Sequence, residues 1–112
     1  MTKCKRGDIA LAQIVFTDGT ATKKRPVLIL SGKQFNDRRE EVVVAAITSN
    51  TTRKITGDTR IREWKEAGLL YPSTLTGILF TIKKHLLEKK LGTLSPEDLE
   101  RAERNFREIL EL

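Results

Sequence analysis

The chain has 112 residues, room for a single domain spanning 1–112 and too few for a second core. Lysine and arginine number 21 against 15 aspartates and glutamates, a formal charge of +6 that points toward a polyanionic partner, nucleic acid first. The single cysteine (Cys4) and single histidine (His85) exclude an internal disulfide and a structural zinc site, and no apolar run is long enough to cross a bilayer. The start, Met1 to Arg6, has no secretory apolar stretch behind it, so the expectation is a soluble cytoplasmic protein with no membrane contact.

From Ile9 to Phe16 apolar residues alternate as in a strand, with a slip near Gln13 that reads as a bulge. Thr17-Asp18-Gly19-Thr20 is turn chemistry and opens a polar loop ending in Lys23-Lys24-Arg25. Pro26 then leads a continuous apolar run, Val27 to Leu30, with the character of a buried strand. Phe35 to Glu41 is a charged connector, and Val42 to Thr48 is the next buried strand. Ser49 to Lys54 is a polar, basic loop. Ile55 to Ile61 forms a weak strand, and Arg62 to Ala67 a helical turn closed by Gly68. Ser73 to Ile82 is a strand kinked at Gly77; Leu86 to Leu94 reads as a helical turn and then a short strand.

The final element is the clearest. Ser95 supplies an N-cap, Pro96 the first helical position, and Asp98 an acid three residues after the cap. Leu99, Ala102, Phe106, Ile109 and Leu110 share one helical face, as in a helix packed across a barrel. This last segment is net acidic, so the remainder is more basic than the total charge suggests. The whole predicts a mainly β, mostly antiparallel small barrel with a C-terminal α-helix and two basic loops.

Gly7-Asp8-Ile9, Phe16-Thr17-Asp18-Gly19 and Lys24-Arg25-Pro26-Val27-Leu28-Ile29-Leu30-Ser31 together resemble the N-terminal signature of PemK/MazF toxins. Ala46-Ile47-Thr48-Ser49, Ala67 to Ser73, and Leu91-Gly92-Thr93-Leu94-Ser95 before an acidic helix are similar to the later family blocks. Each block alone is weak; their order and spacing over nearly the whole chain are specific. The resemblance implies an SH3-like barrel, a homodimer, and a type II toxin that cuts single-stranded RNA (an mRNA interferase). It also implies a cognate antitoxin whose acidic, flexible tail occupies the RNA groove. The sequence departs from many relatives at Gln13 and Val15, where they carry an acid and an aromatic, and at Thr20 to Lys24, where some carry an acid.

RNA supplies its own nucleophile: the 2′-OH attacks the adjacent phosphorus and expels the 5′-oxygen. A catalyst must align that attack, spread the charge on the phosphate and move protons, without a cofactor or a metal. Arg25 is the leading catalytic candidate, because a guanidinium grips two phosphate oxygens and the family uses the matching arginine. From spacing alone, a solvated arginine at a strand start is the more economical reading, and the resemblance reverses it. Thr48, a hydroxyl ending a buried strand, is the second; as a β-branched strand residue it would otherwise need no role. Ser49 and Ser73 are supporting RNA contacts, and Lys23, Lys24, Arg53 and Lys54 are phosphate contacts that set affinity and register. Phe16, Trp64 and Tyr71 are the available base-stacking aromatics, with Phe16 better suited to the core. Trp64 has packing under a loop or antitoxin docking as its alternatives. His85 reads as a surface residue and Cys4 as a thiol without a role.

Two rivals share the fold class. A related barrel toxin binds DNA gyrase instead of cutting RNA, and a non-catalytic SH3-like module binds RNA or peptides. Aromatic residues are only 5% of the chain, which argues against a proline-peptide groove.

Overall fold

The computed structural model describes residues 3–15 and 22–112. In chain order they form β1 (Asp8–Val15), β2 (Thr22–Ile29), α1 (Lys33–Arg38), β3 (Glu41–Thr48), β4 (Thr59–Ile61), β5 (Ser73–Lys83), β6 (Leu87–Thr93) and α2 (Pro96–Leu110). A 3₁₀ turn, Lys84–Leu86, joins β5 to β6. The strands make one six-stranded sheet in the order β4-β5-β3-β2-β1-β6, with every neighbouring pair antiparallel. This is the antiparallel, mainly β architecture with a terminal helix that the sequence implies, curled into a half-barrel.

Alternation along the strands divides two cores. Leu28, Ala45, Ile47 and Leu75 face one, which α2 covers with Ala102 and Phe106. Val27, Ile29, Val42 and Val44 face the other, with Ala10, Ala12 and Leu87. Covering on both sides explains why Val27–Leu30 and Val42–Thr48 are continuously apolar, not alternating. Each fully buried aliphatic side chain contributes about 1.5–3 kcal/mol.

Backbone, with no side chain between, joins the far ends of the curl. The turn after β4 runs through Ala67 and Gly68 and lies directly on Leu91 and Gly92 of β6. A Cβ on Gly68 would sit 2.0 Å from the Leu91 carbonyl oxygen, and one on Gly92 would sit 2.1 Å from that of Ala67. Gly68 also has φ +88°, so two independent constraints select glycine there.

Several elements depart from the sequence-based expectation. β2 begins at Thr22, so Lys23 to Arg25 lie on a strand paired with β1 and not on a loop. The irregularity in β1 falls at Ile9/Ala10 and Leu11/Ala12, against β6, while Gln13 pairs regularly with Lys24. Phe16 and the Thr17–Thr20 turn lie outside the described residues. The charged connector contains α1, too short to show periodicity. It is anchored by buried Asn36, whose amide donates to the Cys4 and Ser31 carbonyls at 3.0 and 2.9 Å. The weak strand shrinks to Thr59–Ile61, because the Asp58 N–H closes a turn onto the Ile55 carbonyl at 3.0 Å and Gly57 takes φ +96°.

Gly77 does mark a bulge: the β3–β5 register shifts between Ala45↔Leu79 and Ile47↔Leu75. The Thr76 hydroxyl donates to the Ala46 carbonyl at 2.8 Å and accepts from the Ile78 N–H at 3.1 Å, replacing ladder bonds lost there. β6 is a full seven-residue strand after its 3₁₀ turn. In α2, Ser95 caps the Asp98 N–H at 3.1 Å as expected. Asp98 itself is buried and accepts from the Arg62 and Glu63 N–H groups at 3.2 and 2.9 Å, tying the helix to the turn after β4. On the apolar face, Ala102 and Phe106 are buried while Ile109 and Leu110 stay partly exposed.

Candidate functional site

The β2–β3 ladder is short: Val27↔Ala46, Leu28↔Ala45 and Ile29↔Val44. Beyond it β2 continues only against β1, and β3 only against β5. Leu30 donates its N–H to the Val43 carbonyl at 2.8 Å, and strand alternation aims the N–H of Leu28, and the position of Pro26, at the same neighbour. Pro26 has no N–H, so the ladder stops where the next rung would form. The two strands splay, and between them opens a cavity of about 590 Å³.

Arg25 and Thr48 line this cavity from opposite sides of the split, together with Lys24, Ser49 and Ser73. Arg25 is exposed, and among the described residues no carboxylate pairs with it; its Nη1 only approaches the Lys24 carbonyl at 3.5 Å. The Thr48 hydroxyl accepts from the Asn50 N–H at 3.1 Å, which leaves its own hydrogen for a bound oxygen. The buried Ser73 hydroxyl donates to the Tyr71 carbonyl at 2.7 Å, so toward a ligand it can only accept. Leu11, Ile47, Leu69 and Leu91 give the cavity an apolar floor.

The other expected contacts lie elsewhere. Lys23 is exposed on β2 and does not line this cavity. Arg53 and Lys54 line a separate depression with Thr51 and Arg60. An intermediate one, lined by Ser49, Thr51, Tyr71 and Pro72, shares residues with both. The three form a continuous track. Arg53 holds Asp58 through two bonds of 2.8 and 2.9 Å, so its charge is partly compensated; the pair raises the arginine's affinity for its proton and lowers that of Asp58.

Sequence reasoning missed two participants. Lys89 of β6 lines the cavity opposite Leu11. Glu88, its neighbour, accepts from the Gln13 amide at 2.7 Å and pairs with Lys24 at 3.1 Å; these partners, Gln13 first, hold its carboxyl below the ordinary range. Both lie on β6, a seven-residue strand of which the sequence predicts only the end. Trp64 packs against the α2-side core with the Lys65 ammonium 5.7 Å from its ring centroid. His85 is exposed on the 3₁₀ turn, and burial pushes the Cys4 thiol up. Among the described residues, no group of three or more His, Cys, Asp or Glu is placed to hold a metal ion.

Comparison with known proteins agrees with this architecture. The chain is similar to a mycobacterial endoribonuclease solved in complex with its cognate antitoxin, at 20% identity and a TM-score of 0.79, covering 97% of this chain and 96% of that one. It is similar to the Mycobacterium tuberculosis toxin MazF-mt6, at 26% identity and a TM-score of 0.75, covering 94% and 97%. It also matches the MazE–MazF crystal structure from Deinococcus radiodurans, at 12% identity and a TM-score of 0.80, covering 97% of each chain. Sequence comparison with curated proteins gives no significant match. The family model of the PemK-like, MazF-like toxins matches residues 5–110, and the chain belongs to that family of type II toxin–antitoxin toxins.

Proposed function

We propose that this toxin is a metal-independent endoribonuclease that cuts single-stranded RNA, mRNA in the cell, with Arg25 and Thr48 as its catalytic residues. The observation that carries the reading is that these two side chains, from strands that part company at Pro26, line one cavity. The Arg25 guanidinium grips two oxygens of the scissile phosphate and spreads the charge that gathers there. The Thr48 hydroxyl donates to a phosphate oxygen. The 2′-oxygen loses its proton and bonds to phosphorus, the bond to the 5′-oxygen breaks, and that oxygen takes up a proton. The products are a 2′,3′-cyclic phosphate and a 5′-hydroxyl, with no net proton consumed.

Lys24, Lys89 and Ser49 hold the flanking backbone, Ser73 fixes the cavity wall, and Lys23, Arg53 and Lys54 add charge along the strand's path. All 112 residues serve as one toxin domain. The similarity to an endoribonuclease solved with its cognate antitoxin and to a MazE–MazF structure supports a cognate antitoxin for this chain. On this reading the antitoxin's acidic, flexible tail neutralises the same basic track, and the toxin acts as a homodimer. No helix among the described residues is long and apolar enough to cross a membrane. The proposed site of action is RNA in the cytoplasm.

The test is incubation with a long, weakly structured RNA in excess EDTA, with ends mapped by primer extension. Wild type should give discrete cuts, and Arg25→Ala should lose roughly a hundredfold or more in rate while remaining folded. A folded wild-type protein that cuts none of several RNAs would sink the reading and redirect attention to gyrase inhibition.

A further inference from the structure

We infer that Leu70-Tyr71-Pro72 is a stacking platform for one nucleobase of the substrate, next to the scissile phosphate. The inference rests on the ribonuclease reading above and extends it. Leu70 is 83% exposed and Tyr71 65% exposed, unusual for adjacent large apolar side chains in so short a loop. Among the described residues the Tyr71 ring packs on no other ring and its hydroxyl makes no hydrogen bond.

The loop is displayed on fixed stems. On one side Leu69 is buried, its N–H bonded to the Trp64 carbonyl at 3.0 Å, next to the glycine seam on β6. On the other, the Ser73 hydroxyl holds the Tyr71 carbonyl at 2.7 Å, and Ser73 and Thr74 are buried in β5. Pro72 further restricts the backbone of Tyr71. An exposed aromatic on a rigid loop loses little freedom when it binds, which is what a stacking surface requires.

Position names the occupant. Tyr71 lines both the Arg25–Thr48 cavity and the adjoining depression with Ser49, Thr51 and Pro72. A strand with one phosphate at Arg25 and the next backbone group heading toward Lys54 passes this loop. Cations at both ends suit the phosphates, and an apolar face between them suits a base. Stacking is tolerant of base identity, so the platform sets register and affinity, with base preference left to the cavity floor.

Binding is read with a 2′-O-methyl RNA that cannot be cleaved, so affinity is measured apart from catalysis. The RNA is scanned with single abasic substitutions against wild type, Tyr71→Ala, Tyr71→Phe and Tyr71→Trp. Tyr71→Ala should weaken binding roughly tenfold, with Tyr71→Phe and Tyr71→Trp close to wild type. One abasic position should erase the difference between Tyr71→Ala and wild type. Equal affinities for wild type and Tyr71→Ala, or a loss that no abasic position erases, would overturn the platform. So would unchanged RNA binding with lost neutralisation by the antitoxin, which would make the surface a protein contact. If wild type itself binds no single-stranded RNA, the ribonuclease reading falls as well, and the two failures are told apart.

Discussion

The ammonium of Lys24 lies 3.1 Å from the carboxylate of Glu88, which also accepts the Gln13 amide, so a lysine at the mouth of the cavity is already paired before any RNA arrives. Lys24 remains largely exposed, and a pair of that kind contributes little to stability. Its larger effect is on an incoming phosphate, which must compete with Glu88 for the same ammonium. Glu88→Gln keeps the side chain's shape and removes the competing charge. It should tighten binding of uncleavable RNA by about threefold or more at low salt, and steepen the salt dependence of binding. Lys24→Ala should cost more affinity in the Glu88→Gln background than in wild type. Fluorescence anisotropy across a salt series decides this, and weaker binding by Glu88→Gln would mean that the carboxylate positions Lys24 instead of opposing RNA.

The Arg53–Asp58 pair predicts a pH dependence of stability. Arg53 lowers the proton affinity of Asp58 in the folded chain from its ordinary value of 3.8. The stabilisation is therefore complete above that value and is lost as the pH falls through the lower folded value. Asp58→Asn should cost about 1–2 kcal/mol near neutral pH. The gap between the melting curves of wild type and variant should close only below roughly pH 4. A gap that stays constant down to pH 2.5 would show that charge is not what Asp58 contributes.

At the seam, Gly68→Ala places a methyl 2.0 Å from the Leu91 carbonyl oxygen on a backbone with φ +88°. Neither the clash nor the strain can be relieved by rotating a side chain, so the expected destabilisation is about 3 kcal/mol or more. Gly32→Ala, where a Cβ meets nothing within 4 Å, is the matched control and should be near neutral. Thermal melts of the two variants side by side make the comparison, and equal melting temperatures would remove the seam from the account of closure.

Asp98→Ala removes the acceptor of two backbone N–H groups and the partner of Arg101 in one step. Arg101 Nε is buried and has no hydrogen-bond partner among the described residues, so the remaining guanidinium would be poorly compensated. Loss of about 3 kcal/mol is expected, and roughly half of that for Asp98→Asn, which keeps one acceptor. Chemical denaturation measures both. Hydrogen exchange should show the largest loss of protection at Arg62 and Glu63, whose N–H groups Asp98 accepts.

Strands buried on both faces were legible in the sequence because burial writes itself as unbroken apolar runs, as at Val27–Leu30 and Val42–Thr48. The capped helix was legible because Ser95-Pro96 is local chemistry. What escaped notice depended on distant partners: α1 is held by Asn36 reaching Cys4, and Asp98 serves a turn that precedes it by over thirty residues. The candidate site followed the same division. Lys24, Arg25, Thr48, Ser49 and Ser73 line one cavity, and Lys23, Arg53 and Lys54 do not. Lys89 and Glu88 enter only through β1–β6 pairing, which no local pattern announces, and the acid on Arg53 was not anticipated because a five-residue turn brings it round.

Pro26 gives the cleft an unusual kind of wall. The opening begins where a rung is chemically missing, at the end of the β2–β3 ladder. Its floor is made by Leu11, Ile47, Leu69 and Leu91. Changes in the size of those side chains could reshape which bases are accepted, while the ladder's end point and the glycine seam keep the scaffold closed. On the proposed reading, small steps in side-chain volume would change the targets of such a toxin and leave its backbone plan and the Arg25–Thr48 pair in place.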